Sequence, residues 1–395
     1  MTEPSNSDAG SETGPRSESE DERERHATNL ELFLDLVFVF AVTQIATLIG
    51  EHATVADTLK GALIAFLVWW QWSQYTWAGA AIDLQAKAAS RVLVLCTVPV
   101  TLLMTIAIPD AFGRSGPWFG GAYFGVQVLV ISMQGALTIA RPEQREAFIR
   151  YSAPALISPA LVLLGGYLAG DARIVVWCVA ALFDIIAAFR GARGEWAINA
   201  THFAERHALF VIIALGEVVV AAGATAYAAS QETGLHATLV IAMGVVVGVA
   251  CLLWWSYFAY VPEVGERALA AAPPATRGEI ARDFYTLGHF PLIIGIVLYS
   301  VVVEGVVHHP SAALSASDRW LLALAIGLFT GGLDVLRFRL ARSWSPERIA
   351  VIGVTVAGCV VAADLSGVLL ITGIGVVLFV AQFVRYRKYR REIPA

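Results

Sequence analysis

The chain has 395 residues, of which 57% are apolar and only 15% charged, and its formal net charge is −5. Its mean hydropathy is +0.66. These values exclude an ordinary water-soluble domain, because too few polar side chains remain to cover its surface, and they predict an all-α polytopic membrane protein. The arginines are scattered over many short loops, so no nucleic-acid partner is expected.

The first 29 residues differ from the rest of the chain. They contain eight Asp and Glu but only three Arg, and they include no apolar run. This composition is typical of a disordered segment, and we interpret residues 1–29 as an acidic cytoplasmic tail. A secretory signal would need a basic start and an apolar core, which this segment lacks.

Twelve apolar segments are long enough, or nearly so, to cross a bilayer, since one crossing needs about 20 helical residues. The last two are separated only by Asp364, which either divides two helices or lies in a re-entrant segment. The segments lie near residues 30–49, 61–79, 92–109, 117–140, 151–169, 173–189, 207–229, 236–260, 284–306, 319–336, 349–363 and 365–384.

The charges of the connecting loops test this topology, because Lys and Arg accumulate on the cytoplasmic side of short loops. With twelve crossings, one side holds 23 Lys and Arg and the other holds four, namely Lys60, Arg114, Arg173 and Arg319. The pattern predicts that both termini are cytoplasmic and that residues 385–395 form a basic cytoplasmic tail.

Two parts of the chain resemble each other. The second segment contains WWQWSQYTW and the eighth contains WWSYFAY, while the third and ninth contain Pro99 and Pro291. A spacing of six helices keeps the same orientation, so the pattern predicts two parallel six-helix repeats, residues 30–190 and 191–384. The alternative is a pair of independent aromatic belts at the membrane interfaces.

Several pairs of glycines four residues apart lie in these segments. Such spacings are typical of helices that pack closely in membranes. They predict close helix contacts at Gly121 and Gly125, Gly244 and Gly248, and Gly327 and Gly331.

Ionisable residues inside predicted spans are functional candidates, because a charged side chain there costs about 2.5–3.5 kcal/mol on insertion scales. Glu217 lies near the middle of the seventh segment and is the leading candidate, the alternative being a protonated carboxyl that only packs. Asp184 lies equally deep in the sixth segment. His289 precedes Pro291 and could face a cavity, or could be a hydrogen-bonded core histidine.

The first segment begins with two acids, Glu31 and Asp35, which are four residues apart and share a helix face. Glu31 fits a role in compensating the helix dipole. Asp35 lies a turn deeper, and Thr43 and Gln44 follow along the same helix. We interpret these residues as a polar strip that faces the interior of the bundle.

A second polar cluster, HFAERHALF, begins the seventh segment. His202 and Arg206 share one face, and Glu205 is offset from it by about 100°. One hypothesis pairs Arg206 with Asp35 or Glu31 across the two repeats. The alternative is a solvated anchor of basic residues at the cytoplasmic surface.

The motifs ELFLDLVFVFAVTQ, WWQWSQYTW, AIPDAFG and HFAERHALFVIIALGE resemble the bacterial low temperature requirement protein A family. The resemblance extends from about Glu31 to Gln382. It implies an integral protein of the bacterial cytoplasmic (inner) membrane that is associated with growth at low temperature, without an established substrate. The sequence departs from the family at His207 and Ala208, where family members tend to have an aromatic residue followed by glycine. The motif residues of the family correspond in this chain to Glu31, Asp35, Phe38, Thr43, Gln44, Asp110, His202, Glu205, Arg206, Gly216 and Glu217.

Enzymatic motifs are missing from the sequence. There is no GxxxxGK[ST], GxSxG or HExxH, and the four cysteines have no paired spacing. We therefore predict no cofactor, no metal site and no catalytic residues, and an enzyme is the less favoured class. The partners expected are the lipid bilayer and a proton, small cation or solute. The oligomeric state is not determined.

The leading hypothesis is a secondary transporter or ion pathway in which Glu217 takes up a proton or cation. A second hypothesis is a membrane-embedded enzyme acting on lipid, with Glu217, His202 or His289 as acid or base. A third is a sensor or scaffold in which the acids only tie helices together.

Overall fold

The computed structural model describes residues 26–81, 88–138, 154–191 and 198–392. The predicted acidic tail before His26 and residues 393–395 of the basic tail lie outside the described residues. Within these ranges the chain folds into α1 Asn29–Gly50, α2 Val55–Ala81, α3 Ala88–Ile106, α4 Gly116–Thr138, α5 Ile157–Gly166, α6 Asp171–Gly191, α7 Ala200–Thr233, α8 Ala237–Phe258, α9 Val261–Ala271, α10 Pro274–Ile280, a π-helical segment Ala281–Leu287, α11 Phe290–His308, α12 Ala316–Ala341, α13 Pro346–Val361 and α14 Gly367–Glu392.

Two of the helices that build the candidate site begin with side-chain caps. Thr28 forms a capping box with Glu31: its hydroxyl accepts from the Glu31 backbone at 3.3 Å, and the Glu31 carboxylate accepts from the Thr28 backbone at 3.0 Å. Asn199 accepts from the backbone of His202 at 3.0 Å. Each cap satisfies a backbone N–H that has no partner within its helix, and so fixes where the helix begins.

Eight of the described helical stretches are long and apolar enough to cross a membrane. The structure is therefore that of an all-α, polytopic membrane protein, as the composition predicts. The stretches are Asn29–Gly50, Ala88–Ile106, Asp171–Gly191, Ala200–Thr233, Ala237–Ala271, Pro274–His308, Ala316–Ala341 and Gly367–Lys388.

The other four predicted segments overlap α2, α4, α5 and α13, which do not meet the same criteria of length and composition. The number of twelve crossings therefore stays a prediction. Asp364 lies in the connection of residues 362–366 between α13 and α14.

Helix α11 lies at the centre of the described bundle and packs against α1, α2, α7, α8 and α12. Its sequence is apolar on most of its circumference, apart from a few polar residues such as Ser300 and Glu304, and Leu292, Ile296 and Val303 are buried. A helix that is apolar on almost all sides belongs inside a large protein or a membrane bundle. By contrast, Leu36 and Ile106 are about 60% exposed on outer surfaces, where lipid would cover them.

The closest helix approaches lie at glycines other than those predicted from their spacing. A Cβ atom on Gly295 of α11 would lie 2.8 Å from both the Ala325 carbonyl oxygen and the Phe329 nitrogen of α12. The expected contacts at Gly121, Gly244, Gly248 and Gly327 are wrong for the described part of the chain, because a Cβ there would meet no described atom within 4 Å. The spacing of two glycines predicts that they share a helix face, but it does not show whether a neighbouring helix packs against that face.

We expect Gly295→Ala to lower the free energy of unfolding by about 1–3 kcal/mol, because the added methyl group forces the backbones of α11 and α12 apart. Gly305→Ala on the same helix is the matched control, since a Cβ at Gly305 would meet no atom of the described residues within 4 Å. The control should be neutral or slightly stabilising, because alanine favours helix. Melting temperatures in detergent compare the two variants, and equal losses would contradict the close approach.

Arg173, near the start of α6, holds several turns together. It is only 5% exposed, although its sequence position suggests a loop charge. Its guanidinium donates to five backbone carbonyl oxygens at 2.7–3.3 Å, those of Ala111, Gly113, Gly165, Gly166 and Leu168. Carbonyls at helix ends lack partners within the helix, and Arg173 supplies donors to the turn after α3 and to the end of α5.

Candidate functional site

The candidate site lies between α1 and α7, which begin at the same end of the bundle. Asp35 and Arg206 form its core. Arg206 Nη1 lies 2.5 Å from Asp35 Oδ2, and Nη2 lies 2.9 Å from Oδ1. Both side chains are at most 1% exposed. Such a two-pronged contact uses the planar fork of the guanidinium and is the strong form of this ion pair.

Aromatic side chains of α2 complete the surroundings of this pair. Trp72 donates its indole N–H to Asp35 Oδ1 at 3.0 Å. The Arg206 guanidinium lies 5.6 Å from the centre of the Trp72 ring and 5.7 Å from that of Tyr75. These distances fit cation–π contacts, which gain strength where water is excluded.

A second buried contact joins Glu31 and His202. The His202 Nε2 atom lies 3.1 Å from each carboxylate oxygen of Glu31. The side chains are 2% and 1% exposed. A carboxylate accepts only, so Nε2 carries the hydrogen in this contact. Glu31 therefore links α1 to α7 in addition to capping its own helix, and Arg206 pairs with Asp35 rather than with Glu31.

Glu205 points away from these pairs, as its angular offset predicts. Its carboxylate accepts from the Ala27 backbone N–H at 2.8 Å and lies 3.2 Å from His26 Nδ1. It is partly exposed. Glu205 thus fixes the segment that leads into α1 and takes no part in the buried pairs.

Glu217 lies further along the interface of α1 and α7. Its side chain is 2% exposed. The Thr43 hydroxyl donates to Glu217 Oε2 at 2.7 Å. Gln44, the next residue on α1, is half-buried. Asp35 and Thr43 are separated by about 12 Å along α1, given a rise of 1.5 Å per residue. The structure therefore brings Asp35, Thr43 and Glu217 to one interface.

Asp184 is held in a separate contact. It lies on α6 and accepts from the Ser158 hydroxyl of α5 at 2.7 Å. The carboxyl is 6% exposed. Its described contacts link α6 to its neighbours, and it does not join the interface between α1 and α7.

His289 lies immediately before α11, after the π-helical segment. Its Nε2 is 2.8 Å from the Tyr257 hydroxyl, and its Nδ1 is 3.0 Å from the Phe284 carbonyl oxygen. The ring stacks on Tyr285 with centroids 5.5 Å apart. Both ring nitrogens are satisfied, which fits a core histidine rather than one that faces a cavity. No group of three or more metal-ligating side chains occurs among the described residues.

Sequence reasoning missed Trp72 and Tyr257. Both lie in the aromatic motifs of α2 and α8, so the signal was present, but several aromatic residues share each motif. Only the packing shows that Trp72 donates to Asp35 and that Tyr257 contacts His289.

The fold and this interface define a polytopic α-helical membrane protein with a buried ion pair and a buried carboxylate–histidine contact between two of its helices. The chain belongs to the family of the bacterial low temperature requirement A protein, whose family model matches residues 26–383. It is similar to a protein of Rhizobium meliloti (strain 1021) that is named only as uncharacterized, with 29% identity over an alignment of length 293 that covers 71% of this chain and 69% of that protein. No solved structure matches the chain.

Proposed function

We propose that this protein is a secondary transporter or ion pathway of the bacterial inner membrane. It has twelve crossings arranged as two parallel six-helix repeats, with both termini in the cytoplasm. The pathway runs along α1 and α7, and Glu217 is the site that takes up a proton or small cation. The observation that carries the proposal is the environment of Glu217.

Glu217 differs from the other two acids of the interface. Glu31 and Asp35 each face a basic side chain. In the described part of the chain, the hydrogen bond of Glu217 comes from the Thr43 hydroxyl, and no basic side chain forms an ion pair with it. A buried carboxylate without a counter-charge is costly, so this group favours binding a proton or a cation. An exchangeable charge at this position is what an ion pathway requires.

The depth of Glu217 agrees with this role. It lies eleven residues after Arg206 on the same helix, which is about 16 Å along the axis. The hydrocarbon core of a bilayer is about 30 Å thick. Glu217 would therefore lie near the midplane, where transporters with internal repeats place their ion sites.

The packing of the helices supports the repeat. In the first half α1 packs against α2 and α3, and in the second α7 packs against α8 and α11. The contacts α3–α4, α4–α5, α5–α6 and α2–α6 have counterparts in α11–α12, α12–α13, α13–α14 and α8–α14. Two independent aromatic belts would not reproduce this set of neighbours.

The buried contacts between α1 and α7 support the repeat as well. Glu31 and His202 are 171 residues apart, and so are Asp35 and Arg206. The capping residues Thr28 and Asn199 have the same separation. Equivalent positions of two repeats would therefore meet at this interface, α1 supplying the acids and α7 the bases.

The test is flux of protons and common cations into proteoliposomes that contain the purified protein, followed with an interior pH dye under imposed ion gradients. Wild type is compared with Glu217→Gln. The matched control is Glu232→Gln, which removes the same charge from an exposed position of the same helix. We expect flux with wild type and the control and at least a tenfold loss with Glu217→Gln.

The outcomes separate the alternatives. Equal flux in all three proteins would remove Glu217 from the pathway. Absence of flux with every cation tested would reject the ion-coupled proposal and favour a lipid-acting enzyme or a scaffold, for which the buried pairs of α1 and α7 would only tie helices together.

A further inference from the structure

Three exposed arginines lie at the end of the bundle where α12 and α14 finish. Arg337 lies near the end of α12, Arg342 follows directly after that helix, and Arg387 lies in the last turns of α14. The two helix ends are joined through α13, which packs against both helices and whose Glu347 is bound by Lys388 of α14. We call the three arginines the basic patch.

Three acidic side chains contact basic residues at this end, and each of them is bound by residues outside the patch. Asp334 is bound by Arg348, Asp283 by Arg282 and Arg339, and Glu347 by Lys388. Arg337 donates its Nε–H to the Ser343 hydroxyl at 3.2 Å. In the described part of the chain, no carboxylate forms an ion pair with an arginine of the basic patch, so its positive charges have no direct counter-charge there.

Aromatic rings position two arginines of the patch. The Arg342 guanidinium lies 5.6 Å from the centre of the Phe338 ring, and the Arg387 guanidinium lies 4.5 Å from the centre of the Phe383 ring. Stacking on a ring uses the face of the planar guanidinium. The N–H groups at its edge therefore stay available for an acceptor outside the protein.

The patch lies at the depth of a membrane surface. Arg337 lies 21 residues after Ala316, the first residue of α12, and Arg387 lies 20 residues after Gly367, the first residue of α14. At a rise of 1.5 Å per residue, each distance is about 30 Å, which is the thickness of the hydrocarbon core of a bilayer. Trp344, in the connection after α12, is 52% exposed. An exposed tryptophan at this depth is typical of a membrane–water interface.

We propose that the basic patch binds the head groups of acidic phospholipids. Basic clusters beside the ends of membrane helices attract acidic head groups. The edge of a guanidinium matches two phosphate oxygens, which adds geometry to this attraction. The contact takes place on the surface of the protein, where the head groups of the surrounding bilayer already lie. The inference is independent of the proposed transport function.

The test compares the full chain purified in detergent as wild type and as two triple variants. The patch variant combines Arg337→Gln, Arg342→Gln and Arg387→Gln. The matched control removes three exposed arginines elsewhere, by Arg114→Gln, Arg190→Gln and Arg267→Gln. Native mass spectrometry measures the affinity for phosphatidylglycerol and, as a zwitterionic comparison, for phosphatidylcholine with the same acyl chains. Thermal unfolding followed by circular dichroism verifies that each protein is folded.

We expect phosphatidylglycerol to bind the wild type and the control at least about tenfold more tightly than the patch variant, since each basic residue near the membrane surface contributes about fivefold. Added salt should weaken this binding, because it screens exposed charges. Phosphatidylcholine should bind all three proteins alike. If the patch variant does not fold, Arg342→Gln compared with Arg267→Gln tests a single charge, with an expected difference of about fivefold.

Three outcomes would overturn the proposal. The first is that the wild type binds phosphatidylglycerol no more tightly than phosphatidylcholine. The second is that the patch variant binds phosphatidylglycerol as tightly as the wild type. The third is that the patch variant and the control lose the same affinity, which would mean that only the net charge of the protein matters.

Discussion

Asp35→Asn is expected to lower the free energy of unfolding by about 3–5 kcal/mol, because it leaves the Arg206 guanidinium buried without its counter-charge. Arg206 is fully buried, and its charged end contacts Asp35 and the rings of Trp72 and Tyr75, while Glu31 interacts with it electrostatically without a direct contact. Arg206→Gln should have a comparable effect through the unpaired Asp35. The measurement is equilibrium unfolding in mixed detergent micelles, followed by circular dichroism and by the yield of folded protein.

The double variant Asp35→Asn with Arg206→Gln should lower the free energy of unfolding by clearly less than the sum of the two single effects, because it removes both charges together. Arg267→Gln, in the exposed pair of Glu263 and Arg267, is the control and should cost less than about 1 kcal/mol. Additive losses in the double variant would show that the two residues do not act as a pair.

Arg173→Gln is expected to destabilise the protein by at least about 3 kcal/mol. The Gly165 oxygen also accepts from the Leu168 backbone N–H, but the other four carbonyl oxygens that accept from Arg173 would lose this donor. Each unsatisfied buried group costs about 1–3 kcal/mol. Glutamine is shorter and has only two N–H donors in one amide group. It cannot serve the turn after α3 and the end of α5 together.

Arg190→Gln is the control for this prediction, since Arg190 lies at the exposed end of the same helix. Thermal unfolding in detergent should distinguish the two variants, with Arg190→Gln close to wild type. Limited proteolysis adds a local readout: the turn at Gly113 should become cleavable in Arg173→Gln. Equal stability of both variants would mean that water or other groups replace the guanidinium.

Part of the site could be read from the sequence because helical periodicity fixes which side chains share a face. Glu31 and Asp35 lie four residues apart, as do His202 and Arg206, and each pair faces the other helix. The apolar composition likewise fixed the class of fold. Periodicity did not decide between Glu31 and Asp35 as the partner of Arg206, because both lie on the same face.

Other features depend on tertiary packing that no local pattern encodes. Arg173 has the sequence position of a loop charge, yet the backbone turns bury it. Gly295 lies in no predicted spacing, yet a Cβ there would lie 2.8 Å from backbone atoms of α12. Trp72 is one of several aromatic residues in its motif, and only the rotation of α2 brings it to Asp35. Each of these depends on where a neighbouring helix lies.

The division of charge between α1 and α7 has a consequence for self-association. The acids at Glu31 and Asp35 belong to one helix, and the bases at His202 and Arg206 belong to the other. If two copies of α1 met in this arrangement, four carboxylates would face one another. If two copies of α7 met, their basic side chains would face one another. The charges therefore favour a contact between α1 and α7 over a contact between two copies of the same helix. They favour joining the two halves of one chain over joining identical halves of two chains.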